Sequence, residues 1–480
     1  MKNITVIKNF FWRFLERCGA QGVSFIVSIV LARLIAPEAY GTIALVTVFA
    51  TILQVFVDSG MANALIQKKD TDDLDFSTVF FFNLVICCLL YLGIFLAAPL
   101  IASFYEQSEL TAIIRVLCLT VIISGVRNVQ QAYVSRTMQF KRFFFSTIGG
   151  TIVSAIVGIV MAYLDYGVWT LVAQQILNTA VGTMILWITV KWRPKRIFSF
   201  YRLKGLFSYG WKLLAASLID RVYNELRSLI IGKMYSSADL AFYNRGNQFP
   251  NVIVTNINTS IDSVLLPTMS AEQDDRDRVR AMTRRAIKTS TYIMMPLMML
   301  LAMCAEPVVR LLLTDSWLPC VPFLRIFCFT YAFYPIHTAN LNAIKAMGRS
   351  DMFLKLEVIK KIIGLIALGS TMWFGVMWMA YSLLFTSVAS SIINAFPNRA
   401  LLDYSYWNQI RDMFPQIVLS CVMGLIVYLI QFIGLNSILT LVIQIMLGMI
   451  IYIGGSMLFK LESFEYIWGI LNKFLKERIN

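Results

Sequence analysis

The heptapeptide Ile114-Arg115-Val116-Leu117-Cys118-Leu119-Thr120 returns as Leu324-Arg325-Ile326-Phe327-Cys328-Phe329-Thr330. Both copies lie in long apolar segments, and each keeps an arginine among residues that otherwise suit hydrocarbon. The match extends in both directions. Arg33 through Gly41 aligns with Lys233 through Ala241, Asp58-Ser59 with Asp262-Ser263, and Gly167-Val168 with Gly375-Val376. The offset grows only from 200 (33 to 233) to 210 (114 to 324). A chain built twice from one hydrophobic block, with charge kept inside the apolar stretches of both halves, has the layout of a membrane transporter.

Composition supports the membrane reading. The 480 residues are 58% hydrophobic and 14% charged with a net charge of +15, proportions foreign to a soluble domain. No small-residue cleavage site follows the first apolar stretch after Met1-Lys2-Asn3-Ile4, so no cleaved signal peptide is expected. The basic excess sits in short clusters between apolar spans, which argues against a nucleic-acid surface. Cysteines fall in or beside the spans, singly except for Cys87-Cys88, with no CxxC or His-rich spacing. Neither a metal site, a disulfide framework nor a cofactor is expected from them.

Apolar stretches able to cross ~30 Å of hydrocarbon number about fourteen, starting at about residues 12, 40, 77, 109, 143, 167, 205, 248, 287, 319, 354, 376, 413 and 437. Every second connection is basic: Lys68-Lys69, Lys141-Arg142, Lys191 through Lys204, Arg276 through Lys288, Lys345 to Arg349, Arg399 with Arg411, and the tail with Lys473, Lys476 and Arg478. The intervening loops, at Tyr105-Glu106-Gln107, Asp165-Tyr166-Gly167, Thr314-Asp315-Ser316 and Gly434-Leu435-Asn436, lack basic residues. This alternation requires an even number of spans and places both termini in the cytoplasm. The expected fold is an all-α polytopic membrane protein. It comprises an N-terminal six-helix bundle (1–200), a parallel C-terminal six-helix bundle (201–400), two further spans (401–460) and a cytoplasmic amphipathic tail (461–480). In that tail Leu461, Phe464, Trp468, Leu471 and Leu475 share a face, as in an interfacial anchor, with Lys473, Lys476 and Glu477 projecting elsewhere. Gly149, Gly150, Ser154 and Gly158 predict close helix contact in span five.

A charge at mid-bilayer is costly, so such residues face a wet cavity or a partner. Span one carries Arg13, Glu16, Arg17 and Gln21, with Arg13, Arg17 and Gln21 at four-residue steps on one face. Span seven carries Asp220, Arg221, Asn224, Glu225, Arg227 and Ser228; Asp220, Asn224 and Arg227 share one face, Arg221, Glu225 and Ser228 the next. Asp58 and Asn63 belong to span two, Asn256, Asn258 and Asp262 to span eight, and Lys355, Glu357, Lys360 and Lys361 open span eleven. These are mainly the first two spans of each repeat, and a cationic, water-filled cavity between the halves is the economical explanation. It suits an anionic, sugar-bearing solute, with Arg and Lys for phosphate oxygens and Asn and Gln for hydroxyls. The substrate-binding candidates are Arg13, Arg17, Gln21, Arg221, Asn224, Arg227, Lys355 and Lys360. Asp58, Asp220 and Asp262 are the ion-coupling candidates. Against this stands structural pairing, of Glu16 with Arg17 and of Asp220 or Glu225 with Arg221 or Arg227. Arg115 and Arg325 admit either bracing or solute contact. His337, where the repeat places Arg127, reads better as a packing residue than as a proton relay. Pro250, Pro267, Pro296 and Pro335 are expected to break or kink helices.

The segment Val30-Leu31-Ala32-Arg33-Leu34-Ile35-Ala36-Pro37-Glu38-Ala39-Tyr40-Gly41 resembles the polysaccharide transporter family. So do Asp58-Ser59-Gly60 with Ala64-Leu65-Ile66-Gln67, Tyr243-Asn244-Arg245 and Glu357-Val358-Ile359-Lys360-Lys361. That family holds the Wzx-like O-antigen and colanic-acid flippases of the multidrug/oligosaccharidyl-lipid/polysaccharide superfamily, and the likeness spans nearly the whole chain. It implies alternating-access transfer of an undecaprenyl-diphosphate-linked oligosaccharide across the bacterial cytoplasmic (inner) membrane for surface polysaccharide synthesis. The polyprenyl tail would stay in lipid, and a polysaccharide polymerase or glycosyltransferases would be partners. A cation-coupled multidrug antiporter of the same superfamily is the nearest alternative, although its cationic solutes favour acidic pockets. A membrane enzyme such as a glycan polymerase would need a sizeable outer loop, a nucleotide loop or a nucleophile arrangement, and the sequence offers none. The chain is not expected to be an enzyme.

Overall fold

The computed structural model describes residues 19–58, 61–68 and 70–479. These are helical with short connections, in two compact units, Met1–Ala241 and Phe242–Asn480. The first unit opens with α1 (Gly19–Leu34), α2 (Pro37–Val57) and the short α3 (Met61–Gln67). It continues through α4 (Asp73–Phe104), α5 (Leu110–Leu117), α6 (Leu119–Arg136), α7 (Phe140–Tyr163), α8 (Val168–Thr189) and α9 (Phe200–Met234). The helix α10 (Ser237–Ala271) leads into the second unit, with α11 (Arg276–Met303), α12 (Ala305–Leu312), a 3-10 turn, α13 (Val321–Ala332) and α14 (Tyr334–Ala346). Then come α15 (Ser350–Thr371), α16 (Val376–Leu402), α17 (Tyr406–Leu429), α18 (Ser437–Leu458) and α19 (Glu462–Ile479).

Among the described residues, ten helical stretches are long and apolar enough to cross a membrane. They are α2, α4, α5 with α6, α7, α8, α11, the stretch Asp315–Ala346, α16, Tyr406–Ile433 and α18. This is a multi-pass membrane protein. The other four of the fourteen expected spans are α1, described only from Gly19, and α9, α10 and α15. The last three have the length but not the apolar composition, because they carry the intramembrane polar residues.

The repeat is written into the packing of each unit. The residues Ile114, Leu117 and Cys118 are fully buried, as are Leu324 and Cys328, with Phe327 nearly so. Arg115 Nε donates to Phe95 O at 3.3 Å on the preceding span, and Arg325 Nε donates to Ala302 O at 3.2 Å in the equivalent position. Each guanidinium also covers an aromatic ring, Phe95 at 4.2 Å and Tyr428 at 5.6 Å. Both arginines therefore brace neighbouring spans. Gly167 (φ +54°) and Gly375 (φ +115°) are the N-caps of α8 and α16, a left-handed turn that favours glycine in both halves.

Small residues do what their spacing predicts. A Cβ on Gly150 would come within 2.6 Å of Asn178 O, and Ser146 Oγ donates to Gly182 O at 2.6 Å, so α7 and α8 meet nearly backbone to backbone. Proline stands at a helix break at one of the four expected positions. The helix α10 runs through Pro250 and Pro267, and α11 runs through Pro296; only Pro335 stands at a helix start. Neighbouring helices can satisfy the carbonyls a proline leaves unbonded, so a helix in a bundle can continue through one.

The start of α4 is a charged hub. Asp75, fully buried, takes an ion pair from Lys68 at 2.5 Å and another from Arg202 at 3.6 Å. Asp73 pairs with Lys195 at 2.6 Å and accepts from Trp192 Nε1 at 3.1 Å, which ties the α8–α9 connection to α4. In the second unit the buried amides Asn340, Asn398 and Gln409 bond one another at 2.6–2.9 Å and join α14, α16 and α17. The tail helix also packs on protein. The helix α19 docks on α11 through Glu462 with Lys288 and through Arg285 over the Tyr466 ring at 5.0 Å.

Candidate functional site

Each unit presents a polar face on helices whose length suits a membrane crossing. At 35 residues and ~1.5 Å per residue, α9 exceeds the hydrocarbon thickness, and its polar cluster lies in its second half. Asp220, Arg221 and Asn224 are exposed there and Glu225 is half-buried. Asn224 Nδ2 donates to Asp220 Oδ2 at 3.1 Å, and Arg221 Nη1 lies 3.5 Å from Glu225 Oε1. Both are i,i+4 pairs on adjoining stripes, so the helix neutralises part of its own charge. Arg227, expected to share the face of Asp220 and Asn224, is only 9% exposed, and Ser228 is buried beside it. Arg221 and Arg127 lie close enough to act electrostatically on Asp58, the C-cap of α2, whose carboxylate accepts from Gln54 Nε2 at 3.1 Å. Asp58, Arg221 and Glu225 thus belong to one cluster in the first unit.

The polar face of the second unit is built mostly of neutral groups. On α10, Asn251, Thr255, Asn256, Thr259, Ser260, Asp262 and Ser263 are all exposed. Thr259 and Ser260 hydroxyls bond the carbonyls four residues back, at 2.7 and 2.8 Å. Asp262 Oδ1 accepts from Asn342 Nδ2 at 2.6 Å, across to α14. On α15, Lys355 is exposed and has no hydrogen bond or ion pair among the described residues, whereas Lys360 pairs with Glu357 at 2.6 Å. The threonine and serine positions of α10 escaped the sequence reading because hydroxyls carry no charge to flag them. Their spacing at Thr255 and Thr259, in step with Asn251 and Asp262, was the available signal.

Of the remaining candidates, Gln21 is exposed on α1. Arg13, Glu16 and Arg17 lie outside the described residues, as do Ser59, Gly60 and the side chains of Asn63, Gln67, Leu471, Lys473, Leu475, Lys476 and Glu477. His337 hydrogen-bonds through Nδ1 with Asn394 Nδ2 at 3.1 Å and through Nε2 with Ser387 Oγ at 3.4 Å, both on α16, which makes it a packing residue. Tyr243-Asn244-Arg245 is structural as well. Tyr243 packs edge-on against Phe327 at 5.2 Å, and Arg245 is buried with its guanidinium 4.9 Å from the Trp317 ring. No cluster of metal-binding side chains occurs among the described residues.

A family model described as "Polysaccharide biosynthesis protein" matches residues 30–322, more than half of the chain. The chain belongs to the polysaccharide biosynthesis protein family. Among its relatives, the succinoglycan biosynthesis transport protein ExoT of Rhizobium meliloti (strain 1021) is 22% identical over 75% of this chain and 72% of that protein. The lipopolysaccharide biosynthesis protein WzxC of Escherichia coli (strain K12) is 23% identical over 86% of this chain and 87% of its own. Among solved structures, the lipid II flippase MurJ in an inward closed conformation has the same fold, with a TM-score of 0.77 at 15% identity, covering 94% of this family member and 98% of MurJ. An inward-facing multidrug resistance transporter of the MATE family matches with a TM-score of 0.60 at 15% identity over 79% of this chain and 94% of its own.

Proposed function

We propose that this protein moves lipid-linked oligosaccharide repeat units across the bacterial cytoplasmic membrane for surface polysaccharide synthesis, and that it does so without covalent chemistry. The polar faces of α9 and α10 carry the reading. A bilayer core solvates neither the charges on α9 nor the amides and hydroxyls on α10, so these exposed faces belong to an aqueous path. Arg221, Lys355 and Lys360, with Gln21, Asn224, Arg13 and Arg17, are assigned to the diphosphate and the first sugars. The hydroxyl and amide groups of α10 suit a glycan, which needs many neutral donors and acceptors. Asp58, Asp220 and Asp262 are assigned to ion coupling. The names of the relatives, a succinoglycan transport protein and a lipopolysaccharide biosynthesis protein, support a glycan cargo over a drug. Lys355, which has no ion pair among the described residues, supports it too, since a cationic drug would be repelled there.

In this reading the termini are cytoplasmic, polymerase and glycosyltransferases are the neighbours in the pathway, and alternating access moves the polar head while the polyprenyl tail remains in lipid. The test is a chromosomal deletion complemented with Arg221→Gln or Lys355→Gln. Wild-type protein restores surface glycan. Each variant, at normal membrane abundance, leaves lipid-linked repeat units on the inner leaflet and surface glycan reduced at least tenfold. Full surface glycan in both variants overturns the assignment of these residues, and an unchanged lipid-linked pool in the deletion overturns the function.

A further inference from the structure

The second unit has a basic pocket on α11 and α17. It is a cleft of about 560 Å³ at the N-terminal ends of α11 and α17, lined by Arg280, Arg284, Tyr404, Asn408 and Arg411 with Asp277 and Asp412. Its arginines are held differently. Arg284 forks Asp412 through Nε and Nη2, both at 2.8 Å, and Tyr404 OH donates to the same carboxylate at 2.8 Å. That trio fixes one wall and uses up the charge of Asp412. Arg280 has only a 3.7 Å approach to Asp403, which is largely exposed. Arg411 has no hydrogen bond or ion pair among the described residues. Arg411, the Asn408 amide and an Arg280 only loosely paired with Asp403 therefore face a single remaining carboxylate, Asp277, which leaves the pocket net positive for an anion.

Arg411 also heads a stripe. Trp407, Arg411, Phe414, Val418, Val422, Leu425 and Leu429 follow at steps of three and four along α17, and all are exposed. Trp407 at 75% exposure and Phe414 at 60% flank the arginine. A tryptophan and an arginine at the head of an apolar stripe mark the depth where headgroups meet acyl chains. A soluble anion would use the pocket alone, whereas a bilayer lipid can use the pocket and the lipid-facing stripe together.

We propose that this pocket binds the phosphate of an anionic diacyl phospholipid, with its acyl chains lying along the exposed face of α17. The inference rests on the membrane-spanning reading of the chain and not on its cargo. Arg280 and Arg411 hold the phosphate oxygens, Asn408 donates to the glycerol or ester oxygens, and the lipid clamps α17 to α11 on the outside of the unit. Binding only to the folded chain, it raises stability in proportion to ln(1 + [L]/Kd).

The experiment uses the purified full-length chain, with native mass spectrometry to count retained lipids and thermal unfolding to read their effect. The probes are phosphatidylglycerol, phosphatidylcholine and water-soluble glycerol phosphate. Phosphatidylglycerol is expected to be retained roughly tenfold over phosphatidylcholine and to raise the unfolding midpoint with dose, while glycerol phosphate does neither. Arg411→Gln and Arg280→Gln each lower phosphatidylglycerol retention by about tenfold, the loss of one charge-assisted contact. Arg310→Gln, an exposed arginine on α12 outside the pocket, leaves it unchanged. Equal retention of the two lipids, or retention indifferent to both pocket substitutions, overturns the proposal. Stabilisation by glycerol phosphate matching that by phosphatidylglycerol overturns the lipid and leaves a site for free phosphate. Should Arg411→Gln not accumulate, Arg411→Lys keeps the charge and loses the fork, and its retention must fall between wild type and Arg280→Gln. Export plays no part in these readouts, so this inference and the proposed function fail separately.

Discussion

Replacing the two repeated arginines distinguishes bracing from contact with cargo. Arg115 contributes one charged hydrogen bond to Phe95 O and a guanidinium 4.2 Å from the Phe95 ring, while Tyr91 OH bonds the backbone carbonyl of Arg115 and survives the substitution. A hydrogen bond from a charged donor contributes ~1.5–3 kcal/mol and a cation–π contact ~0.5–2 kcal/mol. Both arginines are half-buried, so the lower parts of these ranges apply, and Arg115→Ala is expected to cost about 2–3 kcal/mol. Arg325→Ala is expected to cost about 2 kcal/mol, because its ring contact at 5.6 Å is close to the limit at which such contacts count. Domains of a few hundred residues lose about 2–4 °C per kcal/mol, which gives a fall on the order of 5–10 °C for Arg115→Ala.

The assay is thermal unfolding of the purified chain in nanodiscs, run beside surface-glycan recovery in a deletion strain. Bracing predicts that both measures fall together. It also predicts that Arg115→Lys recovers little stability, since lysine has no Nε to reach Phe95 O in that geometry. An Arg115→Ala protein with an unchanged midpoint and no export would refute the bracing argument and return the residue to the substrate path.

Other outcomes follow from contacts elsewhere. A Cβ at Gly41 would lie 1.6 Å from Ser237 O, a backbone atom that cannot swing away, so Gly41→Ala should exceed the ~1–3 kcal/mol of ordinary overpacking and abolish accumulation, whereas Gly22→Ala, with nothing within 4 Å, should be neutral; membrane abundance and size-exclusion profiles check both. Asn340→Leu leaves the buried amides of Asn398 and Gln409 short of a partner, at ~1–3 kcal/mol each, and should lower the unfolding midpoint measured by tryptophan fluorescence. The hydrogen bond and charge of Lys288 hold the Glu462 carboxyl below its ordinary value of 4.5, so that pair supports α19 fully at neutral pH and loses its effect only as pH falls through the lowered value. Hydrogen exchange of α19 should therefore be the same between pH 6 and 8, after correction for intrinsic rates, and rise in Lys288→Gln. Reporter fusions at Gln107, Tyr166 and Ser316 should read outside, and those at Gln139, Arg278 and Arg399 inside; any reversal breaks the fourteen-span topology.

What the sequence could and could not convey divides along physical lines. Internal duplication is visible because selection for packing acted on both copies alike, and the two arginines, Cys118 with Cys328, and Gly167 with Gly375 play matching parts in space. The polar spans were visible because charge inside an apolar stretch stands out in hydropathy. That signal reports only that a residue avoids lipid. It cannot say whether the residue turns toward water or into protein, and Arg221 and Arg227, six residues apart on one helix, fall on opposite sides of that division. The hydroxyl face of α10 was hidden for a related reason: threonine and serine bond their own helix carbonyls and pass as neutral filler until burial shows them facing out. Proline alone does not separate a break from a continuous helix, because in a bundle neighbours the sequence does not name can meet the cost of a lost helical bond. The docking of α17 was unreadable too, since Asn340, Asn398 and Gln409 lie on three separate helices and form a network only after those helices meet. The substrate path is thus best sought where exposure and polarity coincide, on α9, α10 and the start of α15. Arg115 and Arg325, each bonded to a carbonyl of a neighbouring span, belong to the scaffold.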